Sequence, residues 1–147
     1  ENKQRQSDQM AQRVLSDPRL NHGYSKGRRG IRADLGIYVR SSWEANYARY
    51  LNFLIKTKKV FKWEYEAETF WFEEIKRGTR HYTPDFKVWD AENATPYYVE
   101  VKGWMTQQGQ TKLNRMAQYY PHIEIRMVRK KDYDAIKKWK KIIPNWE

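Results

Sequence analysis

Beyond residue 40 the apolar positions fall into runs with a readable period. Trp43, Tyr47, Tyr50, Leu51, Leu54 and Ile55 recur at helical spacing behind two serines, so a helix is predicted to start at Ser41 or Ser42. After Lys58-Lys59 the period drops to two: Phe61, Trp63 and Tyr65 alternate with Lys62, Glu64 and Glu66, the mark of a half-buried strand. A second strand is predicted over 69–75, with Gly78 as a turn. His81 to Trp89 predicts a third, carrying Tyr82, Phe86 and Val88, in which Pro84 suits an edge, a bulge or a strand start. Tyr97 to Lys102 predicts a fourth, with Tyr97, Val99 and Val101 on an apolar face and Tyr98, Glu100 and Lys102 on a chemical one. Gln107 to Tyr120 then returns to helical spacing through Leu113 and Met116, stopped by Pro121. Ile123, Ile125 and Met127 predict a short strand, and a helix from Asp132 to about Ile142 turns Tyr133, Ile136 and Trp139 inward. Helix, four strands, helix, strand, helix is the order of an α/β domain with a mixed β-sheet flanked by helices.

The first 40 residues lack such a period. Residues 1 to about 16 read as a polar helix or fraying arm, ended by Asp17-Pro18 because a residue before proline leaves the helical region. Further on, glycines at 23, 27, 30 and 36 punctuate Lys26, Arg28, Arg29 and Arg32. That composition suits a basic arm that contacts phosphates, and equally a solvated loop. The chain thus divides into an arm (1–40), a core (41–128) and a basic C-terminal helix (129–147).

Size and charge narrow the function. A chain of 147 residues builds one core. Its 29 Lys and Arg against 18 Asp and Glu leave a net charge of +11, a field that draws polyanions and makes nucleic acid the leading partner. Aromatics at 16% separate it from disordered basic tails. With no Cys and only His22, His81 and His122, thiolate zinc sites and local His clusters are excluded, so any metal must use mainly oxygen ligands. No apolar run approaches the roughly 20 residues of a membrane span and no signal-type segment opens the chain, giving the expectation of a soluble intracellular protein. Glu1 rather than Met comes first, which leaves an upstream segment open.

Chemistry concentrates on the fourth strand. Glu100 and Lys102 lie two residues apart, so they share a face about 7 Å apart along it. Asp85 meets Glu100 if the intervening residues form a hairpin, since paired strands lie about 4.8 Å apart. Two carboxylates and a lysine suit magnesium, which prefers oxygen ligands and binds substrate phosphates, and hence phosphodiester hydrolysis. The bare acidic-X-Lys element is weak: Glu1 with Lys3, Glu74 with Lys76 and Asp85 with Lys87 also satisfy it. An exposed Glu–Lys pair worth about 0.2 to 1 kcal/mol explains it as well. Around this centre Arg129, Lys130, Lys131, Lys137, Lys138, Lys140 and Lys141 make a C-terminal basic face, which binds DNA phosphates or is simply solvated. Lys112 is a further candidate for DNA-backbone contact, and His81 for the scissile phosphate. Trp43, Trp63 and Trp139 fall on apolar stripes and read as core; Trp71 and Trp104 do not resolve.

Tyr82-Thr83-Pro84-Asp85-Phe86 followed by Val99-Glu100-Val101-Lys102-Gly103 resembles the Pro-Asp…(Asp/Glu)-X-Lys nuclease superfamily, and within it the phage endonuclease I family of Holliday junction resolvases. The similarity runs over about Ser41 to Val128, without a gap from Val99 onward. It implies a restriction-endonuclease-like sheet and an endonuclease dependent on Mg2+, with Mn2+ as substitute. Asp85 and Glu100 would be metal ligands, Val101 would lend its backbone carbonyl, and Lys102 would activate water. Glu44 would be an additional acidic residue, although Ser41-Ser42-Trp43-Glu44 is also a helix-capping box. The resemblance further implies branched DNA as substrate, an intertwined homodimer, and a phage or mobile-element role in DNA recombination. The loop between Asp85 and Glu100 is longer than the family's and the basic arm looks unrelated, which loosens the tie to junctions. A transposon-end or restriction-type nuclease and a non-catalytic basic DNA-binding module stand as alternatives.

Overall fold

Among the described residues, two short strands precede the helix that opens at Ser42, in a stretch with no readable apolar period. In the computed structural model, which describes residues 29–147, β1 (Gly30–Arg32) pairs antiparallel with β2 (Ile37–Val39), Gly30 facing Val39 and Arg32 facing Ile37. The Leu35 and Gly36 amides close the turn onto the Arg32 carbonyl at 3.1 and 2.8 Å, and Gly36 sits at φ 66°, the left-handed region that suits glycine. Three residues per strand are too few to print an alternation. Ordered structure thus starts before Ser41. Lys26 and Arg28 lie outside the described residues.

Arg32 corrects the picture of a phosphate-binding arm. Its side chain is buried and its guanidinium grips both carboxylate oxygens of Glu147 at 2.7 Å each. Arg49 bonds the same carboxylate at 2.8 Å and Asp34 at 2.9 and 3.0 Å. Asn46 holds the Glu147 backbone on both sides, donating to its carbonyl and accepting from its amide. Burial alone would push the Glu147 carboxyl up, but the two guanidinium groups outweigh that and hold it at about 2, against an ordinary value of 4.5. A depressed carboxyl pKa stabilises the fold above the ordinary range and loses that contribution as pH falls towards about 2. Glu147→Gln is therefore expected to lower the melting temperature at neutral pH. Thermal melts across the acid range should show the gap to the parent closing.

The helix α1 (Ser42–Lys56) buries Ala45, Tyr47, Ala48 and Leu51. Of the described residues, 29–53 and 136–147 form one compact unit and 54–135 another, the boundaries falling inside helices rather than at residues 40 and 128.

The unit 54–135 is built on a mixed four-stranded sheet ordered β3-β6-β7-β8. Its strands are β3 (Lys62–Tyr65), β6 (Phe86–Trp89), β7 (Tyr97–Val101) and β8 (Ile125–Val128); a two-stranded ribbon joins β4 (Phe70–Trp71) to β5 (His81–Tyr82). The first two pairings of the larger sheet are antiparallel, and β7 runs parallel to β8 through α2 (Gln107–Tyr119), as a parallel pair demands. Lys130–Lys137 is α3. The fold is therefore mixed α/β, as the periodicity predicts.

Three details differ from that prediction. The third strand is cut into β5 and β6 at Thr83-Pro84-Asp85, because Pro84 has no amide to give a ladder. The second shrinks to two residues and pairs with β5, leaving the larger sheet. The last helix spans Lys130–Lys137, so the helical phase that turned Trp139 inward is lost and Trp139 is 54% exposed. The chemical face of β7 is not an open face either: Tyr98 is buried with Phe70, Phe72, Tyr82 and Met116. Phe70 meets the Tyr98 ring edge-on at 5.1 Å. On the opposite face Phe86, Val88, Val99 and Val101 are buried, with Trp63 and Tyr65 contacting Phe86 across β3 and β6.

Candidate active site

Glu100 stands at the margin of the buried aromatic cluster, on the strand β7. The β6–β7 register pairs Phe86 with Val99 and Lys87 with Tyr98. The last pair leaves Asp85, just before β6, and Glu100, in β7, as the next residue on either side. Asp85 is buried and its Oδ2 accepts the Val101 amide at 2.8 Å.

Tyr82 is the member that sequence reasoning missed. Its hydroxyl donates to Glu100 Oε2 at 2.9 Å, and the ring is almost fully buried. Burial, then the charge and hydrogen bond of Glu100, then the charge of Asp85 all push the phenol pKa up, so it stays a proton donor. Glu100 itself is pushed up, because burial disfavours its charge by more than the Tyr82 hydroxyl, Lys102, the Asp85 backbone and Lys112 restore. The only signal for Tyr82 in the sequence was its place three residues before Asp85.

Two lysines approach from the far side. Lys102, two residues beyond Glu100, and Lys112 on α2 line a cleft of about 10 Å3 together with Tyr82, Glu100, Gly109 and Met127. That is about the space of one water molecule. The Lys112 ammonium lies 6.0 Å from the Tyr82 ring centroid. Helix α2 is aimed here by Thr106, whose side chain caps the Gly109 amide at 3.0 Å. The absence of a side chain at Gly109 is what lets Lys102 in, since a Cβ there would stand 2.7 Å from its Nζ.

The competing acidic-X-Lys pairs separate in the structure. Lys87 is committed to Glu68 at 2.9 Å, while Glu74 and Lys76 are exposed outside any strand; Glu1 and Lys3 lie outside the described residues.

Glu44 belongs to the other compact unit and serves the start of α1. Its Oε2 accepts the Arg40 amide at 3.0 Å, and its own amide donates to Ser41 Oγ at 3.1 Å. This is a capping box with the return bond shifted one residue outward. Gln keeps the acceptor, so Glu44→Gln is expected to melt within a degree or two of the parent, while Glu44→Ala loses about 1 kcal/mol. Thermal denaturation of the pair checks this. A Gln variant as unstable as the Ala variant would show that the charge, not the cap, is what matters.

The basic residues are spread over the surface. Arg29, Arg129, Lys131, Lys137, Lys138, Lys140 and Lys141 are exposed, and Lys130 is exposed but paired with Asp134 at 2.7 Å. Among the described residues no group of three or more His, Asp or Glu side chains encloses a metal position, and no helix is long and apolar enough to cross a membrane. No protein-family model, no curated protein and no solved structure matches this chain.

Proposed function

We propose that this chain is a magnesium-dependent DNA endonuclease of the Pro-Asp…(Asp/Glu)-X-Lys kind, hydrolysing phosphodiester bonds in branched DNA. The observation that supports the reading is the Asp85 carboxylate held on the Val101 amide, one residue from Glu100, with Lys102 two residues beyond Glu100 and Lys112 lining the same cleft as Glu100 and Lys102. The net charge of +11 supports a polyanionic substrate.

The donor set fits magnesium. That ion is held by one or two carboxylates and completes its shell with water and substrate phosphate oxygens, so a third protein carboxylate is not required. Asp85 and Glu100 would hold it, and manganese would be accepted on the same oxygen ligands. When bound, the ion lowers the pKa of a water molecule and neutralises charge on the phosphoryl group. Lys102 donates hydrogen bonds to the attacking water and the phosphate oxygens, and Lys112 holds the neighbouring phosphate. Tyr82 fixes the rotamer of Glu100 through its hydroxyl. Branched DNA has two strands to cut, which a homodimer with one site per copy serves, inside the cell that houses the DNA.

A non-catalytic DNA-binding module is the second reading, favoured by the Tyr82–Glu100 hydrogen bond, which also fits a carboxylate kept for folding. Incubation with four-way-junction, flap, linear duplex and single-stranded DNA, in magnesium or chelator, separates the two. The expected result is magnesium-dependent cutting, strongest on branched DNA and absent in Glu100→Ala. Binding without cutting of any substrate would establish the second reading instead.

A further inference from the structure

Beside the acidic site lies a much larger cleft, of about 340 Å3, lined by Trp71, Arg80, His81, Gln108 and Lys112 among others. Its size falls in the range of small-ligand sites. One wall is aromatic: Trp71 is 54% exposed, and its ring lies 4.8 Å from that of His81 at an interplanar angle of 40°. An exposed tryptophan in a ribbon is costly to leave in water, and flat aromatic faces are what unstacked bases settle on.

The wall is also held in place. The Trp71 carbonyl accepts the Tyr120 hydroxyl at 2.8 Å, and Arg115 bonds the Thr79 carbonyl in the turn below. Gly78, at φ 75°, leaves that turn open, with nothing within 4 Å of where a Cβ would stand. The lining also carries cations, Arg80 and Lys112. No described carboxylate pairs with Arg80, and Lys112 lines this cleft as well as the one holding Glu100 and Lys102.

From this juxtaposition we infer that the cleft seats a single unstacked nucleotide adjacent to the scissile phosphate, its base on Trp71 and its phosphate between Arg80 and Lys112. The inference rests on the endonuclease reading and deepens it: the substrate is DNA with an unpaired nucleotide beside the cut. Bases inside an intact duplex would have to leave the stack to reach Trp71, at a cost of a few kcal/mol.

The test uses the full chain carrying Glu100→Ala, in chelator, so that binding is read without cleavage. Its ligands are a fully paired duplex and the same duplex with an unpaired fluorescent adenine analogue. The expected result is tighter binding of the second, with the analogue quenched. Adding Trp71→Ala should weaken that binding by about tenfold or more and restore the fluorescence, while Trp71→Phe keeps most of both. Equal weakening of the two duplexes, or an unquenched analogue, would overturn the subsite. Magnesium-dependent cutting of branched DNA by the parent is scored separately. Its absence with the quench retained would remove the nuclease reading and leave the subsite standing as a DNA-binding feature.

Discussion

Replacing Lys102 with methionine is expected to slow cleavage by about a thousandfold while leaving DNA binding in chelator nearly unchanged. Methionine keeps most of the apolar stem that lies along the cleft beside Met127 and Gly109, so the packing survives. What goes is one positive charge at the position where, on the proposed function, negative charge would grow during phosphoryl transfer. Glu100 also loses one of the two lysines that favour its ionised form, which raises its pKa further. The loss should therefore appear in the single-turnover rate at saturating DNA rather than in affinity. Single-turnover kinetics in magnesium, beside binding measured in chelator, checks it. A rate within tenfold of the parent would mean that Lys102 is no more than a partner of Glu100.

Gly109→Ala should reduce the same rate by about a hundredfold without destabilising the protein. Gly109 is the third residue of α2, and at a helical position alanine is favoured over glycine by up to about 0.5 to 1 kcal/mol. The new Cβ, however, would stand 2.7 Å from Lys102 Nζ and 3.0 Å from the Met105 sulfur, and the flexible lysine is the group that yields. Displacing a catalytic group by about 1 Å is enough for a loss of this size. Melting temperature and cleavage should move in opposite directions, a split that general unfolding cannot produce. A variant that melts higher and still cuts at the parental rate would show that the position of the Lys102 ammonium is immaterial.

The parts of this fold that the sequence made legible are those where one physical pattern dominates. In β3 and β7 alternation is unbroken over four or five residues, and in α2 the helical spacing through Leu113 and Met116 runs up to the stop at Pro121. The antiparallel pairing of β6 with β7 was legible because strand parity and a hairpin connection leave one register compatible with both apolar faces. The β1–β2 hairpin was not, since its strands hold three residues each and its key residue, Arg32, is buried only because Glu147, 115 positions away, neutralises it. No local pattern encodes such a partner. Trp139 failed for the opposite reason: a helical stripe was extended past Lys137, where the helix stops. Tyr82 escaped because its role depends on a break in the strand that carries it.

That break has a consequence in parity. Residues three apart on an unbroken strand point to opposite faces, so a continuous strand from His81 to Trp89 would turn Tyr82 away from Asp85. By ending one ribbon at Tyr82 and opening another strand at Phe86, Pro84 resets the count, so that Tyr82 reaches Glu100 while Asp85 reaches the adjoining Val101 amide. The spacing between Tyr82 and Asp85 is therefore an odd number made to behave as an even one. A single inserted or deleted residue there would leave every side chain present and take one of them off the site.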